Sequence, residues 1–161
     1  MAGTIFWHGA IQVFIAAEDH PPPHIHAHHA SEGWTARFRF SFLSDITGLY
    51  RFRRRQRRPG VATLNAVADA IMDHLPACRE AWWNTHGSRH GIGLVNQRVE
   101  FRPTPDGDGV RARVARKADP HAASITTAAY DVRTGRVTLS LANGRTLSLT
   151  AGQHIEEAAE W

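Results

Sequence analysis

Hydrophobic and polar residues alternate along the first forty or so positions, a pattern typical of antiparallel strands with one buried face. Residues 4–17 predict strand with a break at Gly9, and residues 24–30 predict the next strand. Residues 34–42 alternate most regularly, with aromatic residues on one face and Arg37 and Arg39 on the other. The pattern therefore indicates a half-buried antiparallel sheet.

The spacing of apolar residues changes from alternation to a helical period in the next part of the chain. Apolar residues recur at intervals of three and four from Leu64 through Ile71 and Cys78 to Trp82, which predicts one long helix over residues 61–83. Pro76 should kink the helix or restart it, because proline lacks the N–H that an interior helical position donates. The polar, glycine-containing residues 84–93 predict a loop.

The last forty residues again favour strands, at 124–132, 136–141 and 145–150, with Asn143-Gly144 as a strong hairpin signal. A short helix is predicted after Gly152. We therefore expect an α+β fold: an antiparallel sheet covered by one long helix, followed by a small β-meander domain with a short C-terminal helix. The predicted domains are 1–87 and 124–161, joined by a linker with edge strands at 88–123.

Composition changes this picture in two respects. The 161 residues carry a net charge of +4 and a pI near 10.2, and Lys117 is the one lysine among many arginines. Arginine suits phosphate recognition, so an anionic partner is favoured. The single cysteine excludes an intramolecular disulfide. Since neither a signal peptide nor a long apolar segment is evident, we expect a cytoplasmic protein without membrane association.

The main chemical signal is the stretch from Asp19 to His29, which contains five of the eleven histidines. Three consecutive prolines exclude helix there and lead into a strand on which His24, His26 and His28 share one face. All three are candidate catalytic residues, because imidazole serves as general acid, general base and metal ligand.

Strand geometry limits any metal site in this row. Side chains two apart lie about 6.6 Å from each other and those four apart about 13 Å, whereas a Zn–N bond measures about 2.0–2.1 Å. Two neighbouring histidines could share an ion, but three on a straight strand could not. We therefore expect no cofactor. The set considered for a divalent metal is His20, His24 and His26, with Asp19, His8 or His86 as other ways to complete it.

A basic run occupies positions 51–58, six of which are arginine, interleaved with Phe52 and preceded by Tyr50. Such a run suits phosphate contact with stacking, although it could also be a solvated loop or a surface for an acidic protein. The candidate nucleic-acid-binding residues are Arg51, Arg53, Arg54, Arg55, Arg57 and Arg58.

Residues 19–27 (Asp-His-Pro-Pro-Pro-His-Ile-His-Ala), with Leu75 to Trp82, resemble a small, largely uncharacterised bacterial domain family, from which they differ by one extra proline. Residues 125–161 resemble a second family often encoded beside the first, although its members usually continue further. The carrying features are three strands, the Asn143-Gly144-Arg145 turn and the sequence from His154 to Ala158. The resemblance implies a fusion of two domains suspected to form toxin–antitoxin pairs.

Three functions follow as hypotheses. The first is a toxin–antitoxin-type protein that acts on or binds RNA, in its enzymatic form a metal-independent endoribonuclease with histidine acid and base. The second is a non-catalytic nucleic-acid-binding regulatory module, and the third is a protein-binding accessory or inhibitor protein of a mobile element. RNA is expected as a partner before DNA. P-loop, Rossmann, nucleophile-elbow and zinc-ribbon motifs are absent from the sequence.

Overall fold

The structure is a computed structural model that describes residues 3–45, 47–53, 57–103, 110–115, 122–152 and 155–157. These residues form two compact units. The first unit takes in residues 1–40 and 46–90, and the second takes in residues 41–45 and 91–161. The predicted long-helix segment therefore lies in the first unit, and the predicted linker contributes strands to the second.

The first unit is a five-stranded antiparallel meander in which each strand pairs with the next along the chain. Its elements are β1 (Gly3–His8), β2 (Ile11–Ile15), β3 (His24–His29), β4 (Trp34–Phe40), β5 (Thr47–Phe52), α1 (Val61–Asp73) and α2 (Leu75–His90).

Alternation places opposite chemistry on the two faces of this sheet. Val13, Ile25 and Phe38 are fully or almost fully buried, as are Ile71 of α1 and Trp82 of α2. The two helices contact the sheet through β5 and β1, so the apolar core lies between helices and strands. The other face carries His24, His26 and His28 of β3 and the arginines of β4.

The second unit is a six-stranded sheet in the order β10-β9-β8-β6-β7-β11. Its strands are β6 (Arg98–Pro103), β7 (Val110–Ala115), β8 (Ala123–Asp131), β9 (Arg136–Leu141), β10 (Thr146–Thr150) and β11 (Ile155–Glu157). All pairings are antiparallel except that between β11 and β7.

Buried aliphatic residues and one aromatic pair form the core of the second unit. Ile125 and Leu139 are fully buried, and the rings of Phe42 and Tyr130 meet edge to face with centroids 4.9 Å apart. The predicted hairpin between β9 and β10 turns at Gly144, whose φ of 86° is accessible to glycine at little steric cost.

The predicted fold class is wrong, because the described chain is mostly β, with eleven strands in two sheets and two short helices. The segment predicted as one helix forms two helices, α1 and α2, because Pro76 has no N–H to donate to a carbonyl in the preceding turn. The chain instead turns at His74, whose N–H bonds to the Ile71 carbonyl at 3.0 Å. The second helix also continues past Trp83 to His90.

The predicted C-terminal helix is wrong as well. Residues 155–157 form β11, which extends the second sheet beside β7. A local pattern of three residues cannot distinguish a helical turn from an edge strand, and here the partner strand decides. Within the described ranges, neither helix has the length and apolar character needed to cross a bilayer.

Candidate functional site

The loop between β2 and β3 positions a buried carboxylate. The Ala16 N–H donates to Asp19 Oδ2 at 3.0 Å, which closes a turn immediately after β2. The chain then passes through the prolines, where the Pro21–Pro22 bond is cis, and enters β3 at His24. Asp19 is only 7% exposed, so the turn directs its carboxylate inward.

Helix α2 holds this loop from a distant part of the chain. The His86 Nε2–H donates to the Ala16 carbonyl at 2.9 Å, and the Arg89 guanidinium donates to the Ala17 carbonyl at 2.8 Å. Both bonds span about seventy residues of sequence, and His86 is fully buried. The end of α2 therefore fixes the backbone that carries Asp19.

Asp19, His24 and His26 form one buried group, here called the Asp19 cluster. Asp19 Oδ1 lies 3.2 Å from His24 Nε2 and 2.9 Å from His26 Nε2. Burial by itself would raise the pKa of Asp19, but hydrogen bonds and the positive charge of the two imidazoles outweigh it. The net result is a pKa well below the ordinary value for aspartate. The carboxylate is thus ionised at neutral pH.

The Asp19 cluster could hold a metal ion. One ligand atom from each residue lies within 4.8 Å of the other two. The set considered from the sequence included His20 as the third ligand, but the structure groups Asp19 with His24 and His26 instead. His20 is exposed, and its ring meets that of His90 edge to face at 5.5 Å.

A cavity of about 960 Å³ lies on the open face of the first sheet, here called the sheet-face cavity. Side chains from four of the five strands line it, and the register of strand pairing places them next to one another. His26 pairs with Arg37, His28 with Thr35, and Phe14 of β2 with His26. The lining residues are Phe14, His26, His28, Thr35, Arg37, Arg51, Phe52 and Arg53.

Positive charge is concentrated in the sheet-face cavity. Arg37 lies directly opposite Arg51 across the β4–β5 pair, and Arg53 lines the same cavity. Like charges placed opposite each other in a sheet are destabilising. Among the described residues, none of these three arginines forms an ion pair with a carboxylate. The arrangement leaves three guanidinium groups available to an anion.

His28 is held in one orientation and one tautomer. Its Nδ1 lies 3.1 Å from the Trp34 carbonyl oxygen and 2.9 Å from Thr35 Oγ1. A carbonyl oxygen can only accept, so Nδ1 carries the hydrogen and Nε2 carries the lone pair of the neutral ring. The neutral ring therefore presents its lone pair at Nε2. The neighbouring His26 ring stacks on Phe14 of strand β2, with ring centroids 5.0 Å apart.

The predicted residues divide into those that the structure brings together and those that it does not. Of the predicted catalytic histidines, His26 and His28 line the sheet-face cavity, and His24 belongs to the Asp19 cluster. Of the arginine run, Arg51 and Arg53 line the cavity, and the Arg58 guanidinium lies 4.9 Å above the Phe52 ring. Arg57 is exposed, whereas Arg54 and Arg55 lie outside the described residues.

No protein-family model, curated protein or solved structure matches this chain. The resemblance to two neighbouring bacterial domain families, and the toxin–antitoxin association that it implies, therefore stays a prediction. The geometry of the first unit is what bears on function.

Sequence analysis left three cavity residues out of the predicted site: Phe14, Thr35 and Arg37. The alternation of residues 34–42 places Arg37 on the face opposite the aromatic residues. The sequence did not give the strand register, which places Arg37 beside His26 and opposite Arg51. A prediction of the β3–β4 hairpin register would have supplied this signal. Asp19 was considered only as one way to complete a metal site.

Proposed function

We propose that this protein is a cytoplasmic RNA-binding protein and that the sheet-face cavity is its binding surface. The observation that carries the proposal is the group of three arginines, Arg37, Arg51 and Arg53, which have no carboxylate partner among the described residues. In the free protein these three positive charges repel one another, and a bound polyanion would neutralise them. Phosphate oxygens match the planar donor fork of arginine.

The rest of the cavity supports a nucleic acid as the anion. Phe14 and Phe52 line the same space as the arginines, and single-stranded nucleic acid is commonly bound by basic grooves with aromatic side chains. The volume of about 960 Å³ lies near the upper end of small-ligand pockets. Because the cations are side chains, binding on this surface needs no cofactor.

A salt titration with a short, fluorescein-labelled single-stranded RNA tests the proposal. Three phosphate contacts predict that the logarithm of the binding constant falls against the logarithm of salt concentration with a slope of about −2. Replacement of Arg37 with alanine should weaken binding about tenfold and reduce the slope by about 0.7. The same substitution should not lower stability, since it removes the repulsion from Arg51.

Arg133→Ala is the matched control, because it removes one exposed arginine from the turn between β8 and β9 in the second unit. It should leave affinity and slope almost unchanged. An equal loss in Arg133→Ala and Arg37→Ala would show that net charge alone drives association. DNA of the same sequence, run in parallel, decides whether the 2′-hydroxyl is recognised.

A second candidate function, RNA cleavage, is favoured by His26 and His28. Side chains two apart on a strand lie about 6.6 Å from each other, a spacing at which one phosphodiester can lie between two rings. The Nε2 lone pair of His28 could accept the proton of a 2′-hydroxyl, and cavity arginines could stabilise the phosphate. Because His26 Nε2 already bonds to Asp19 at 2.9 Å, the leaving oxygen would then take a proton from His26 Nδ1 in the metal-free protein.

Substitution of His28 separates cleavage from binding. His28→Ala should abolish RNA cleavage and any growth arrest on expression, while RNA binding falls by less than about threefold because the arginines remain. His29→Ala, on the opposite face of the same strand, should retain both. If wild-type protein binds RNA but leaves it intact, the binding function stands and the catalytic function is rejected.

A further inference from the structure

We propose that the Asp19 cluster is a site for a divalent transition-metal ion of the Zn²⁺ class. The site consists of Asp19 Oδ1, His24 Nε2 and His26 Nε2. This metal site and the proposed RNA-binding surface use different ligand atoms for different ligands, although His26 belongs to both. An ion bound here would lie one imidazole ring away from the sheet-face cavity.

The spacing of the three donor atoms suits a tetrahedral site. With metal–ligand bonds of about 2.0–2.1 Å, neighbouring donors in a tetrahedron lie about 3.3 Å apart. The Asp19 oxygen lies 3.2 Å from the His24 nitrogen and 2.9 Å from that of His26. Two of the three donor pairs therefore already lie within a few tenths of an ångström of tetrahedral spacing, and the two imidazole nitrogens lie within 4.8 Å of each other.

The tautomer of His24 is the strongest argument for a cation. His24 Nδ1 lies 2.8 Å from the Pro22 carbonyl oxygen, so Nδ1 must carry a hydrogen and donate it. In the neutral ring, Nε2 then carries a lone pair, and that lone pair lies 3.2 Å from the Asp19 carboxylate. Two acceptors at this distance repel unless a cation or a second proton lies between them.

A metal ion satisfies this arrangement at a residue that is only 3% exposed. A metal leaves both rings neutral and places its charge among all three donors. A backbone carbonyl that accepts from the outer nitrogen of a histidine is also the arrangement that orients metal-bound imidazoles.

The donor set indicates which metals fit. Two imidazole nitrogens and one carboxylate oxygen suit Zn²⁺ and its neighbours, whereas Mg²⁺ and Ca²⁺ prefer oxygen ligands. Three protein donors are one fewer than a closed structural zinc site uses, so a water molecule would supply the fourth. This is the ligand count of zinc sites that activate water.

Metal titration of protein stripped with chelator tests the site, with no RNA present. We expect one Zn²⁺ per chain by calorimetry, and Co²⁺ should give the visible absorption bands of tetrahedral coordination. Zn²⁺ should also raise the melting temperature by several degrees, because it binds the folded state alone. Asp19→Asn, which has the same shape and can still accept from Ala16, should weaken Zn²⁺ binding at least tenfold and abolish the thermal shift.

His28→Gln is the matched control, since it removes a histidine two positions beyond His26 on the same strand but outside the cluster. It should bind Zn²⁺ as the wild type does, and so should Arg37→Ala. The proposal is overturned if folded wild-type protein binds no Zn²⁺. Binding that is unchanged in Asp19→Asn would overturn it equally. Neither result depends on whether the protein binds RNA.

Discussion

Asp19 joins two histidines that lie two positions apart on one strand. Its ionised carboxylate lies 2.9 Å from the His26 nitrogen and 3.2 Å from the His24 nitrogen within the buried cluster. At this scale the sequence predicted the one-sided row of His24, His26 and His28 correctly from the alternation of a strand. It offered the Asp19 carboxylate only as one of several ways to complete a metal site, since Asp19 reaches the row through a loop whose path depends on helix α2.

Cys78 provides a prediction at the same scale. The thiol is fully buried, and burial raises its pKa to about 12 even though Arg79 acts in the opposite direction. At a pH of about 8 only on the order of one thiol in ten thousand is ionised. We expect native protein to resist a disulfide reagent such as DTNB and protein in denaturant to react with one thiol per chain.

The exposed neighbour of Cys78 on helix α2 supplies the control. Ala77→Cys should react rapidly at one thiol in the native state, while Cys78 stays protected. Rapid labelling of native wild-type protein would mean that the α2 face carrying Cys78 opens readily to solvent.

At the scale of elements, helix α2 shows where periodicity succeeds and where it fails. The apolar stripe correctly predicted Ile71, Cys78 and Trp82 as buried. The segment after Trp83 was predicted as a loop because it is polar and contains Gly87, yet it is helical as far as His90. Its hydrogen bonds to the β2–β3 loop stabilise this extension, and no local pattern reports them.

Gly87 has a steric role within this helix. A Cβ added there would lie 2.8 Å from Cδ2 and Cε3 of the Trp83 ring, which is one turn earlier. Helix propensity would favour alanine by about 1 kcal/mol, but displacement of a packed indole costs about 1–3 kcal/mol. We expect Gly87→Ala to lower the free energy of unfolding by about 1 kcal/mol in chemical denaturation.

Two further variants show whether the indole is the cause. Ser88→Ala, at an exposed position of the same helix, should be neutral or slightly stabilising. In a Trp83→Leu background, Gly87→Ala should become stabilising, because a smaller side chain leaves room for the added methyl. A stabilising effect of Gly87→Ala in the wild type would show that the ring moves aside at little cost.

At the scale of the whole molecule, the net charge of +4 is distributed unevenly. Three arginines meet in one cavity of the first unit, where strand pairing brings Arg37 from β4 against Arg51 from β5. The excess of arginine favoured an anionic partner from composition alone. Where that partner would bind depends on the order of the strands in the sheet.

The stability of the folded protein should depend on pH through His86. Burial lowers its pKa, Arg89 and His90 act in the same direction, and the hydrogen bond to Ala16 and the charge of Asp19 oppose them. Below about pH 6.5, His86 therefore binds a proton in the unfolded chain but not in the native state. Stability contributed by this residue is present above that pH and is lost as the pH falls.

Chemical denaturation followed by tryptophan fluorescence between about pH 7.5 and pH 5.5 measures this effect. His86→Gln keeps an N–H donor for the Ala16 carbonyl but cannot titrate. Its free energy of unfolding should therefore fall less than that of the wild type over the range. Equal pH dependence in the two proteins would show that His86 takes up its proton without unfolding.

The sequence by itself determined the positions of β1 to β4 in the first unit, the face on which the histidine row lies and the hairpin at Asn143-Gly144. Each of these depends on neighbours within a few residues, through side-chain alternation or backbone sterics. Only the tertiary structure decided the two-sheet fold, the length of α2, the approach of Asp19 to two imidazoles and the meeting of Arg37 with Arg51. These depend on register and on contacts between distant segments, which are selected by the packing of the whole unit rather than by any local pattern.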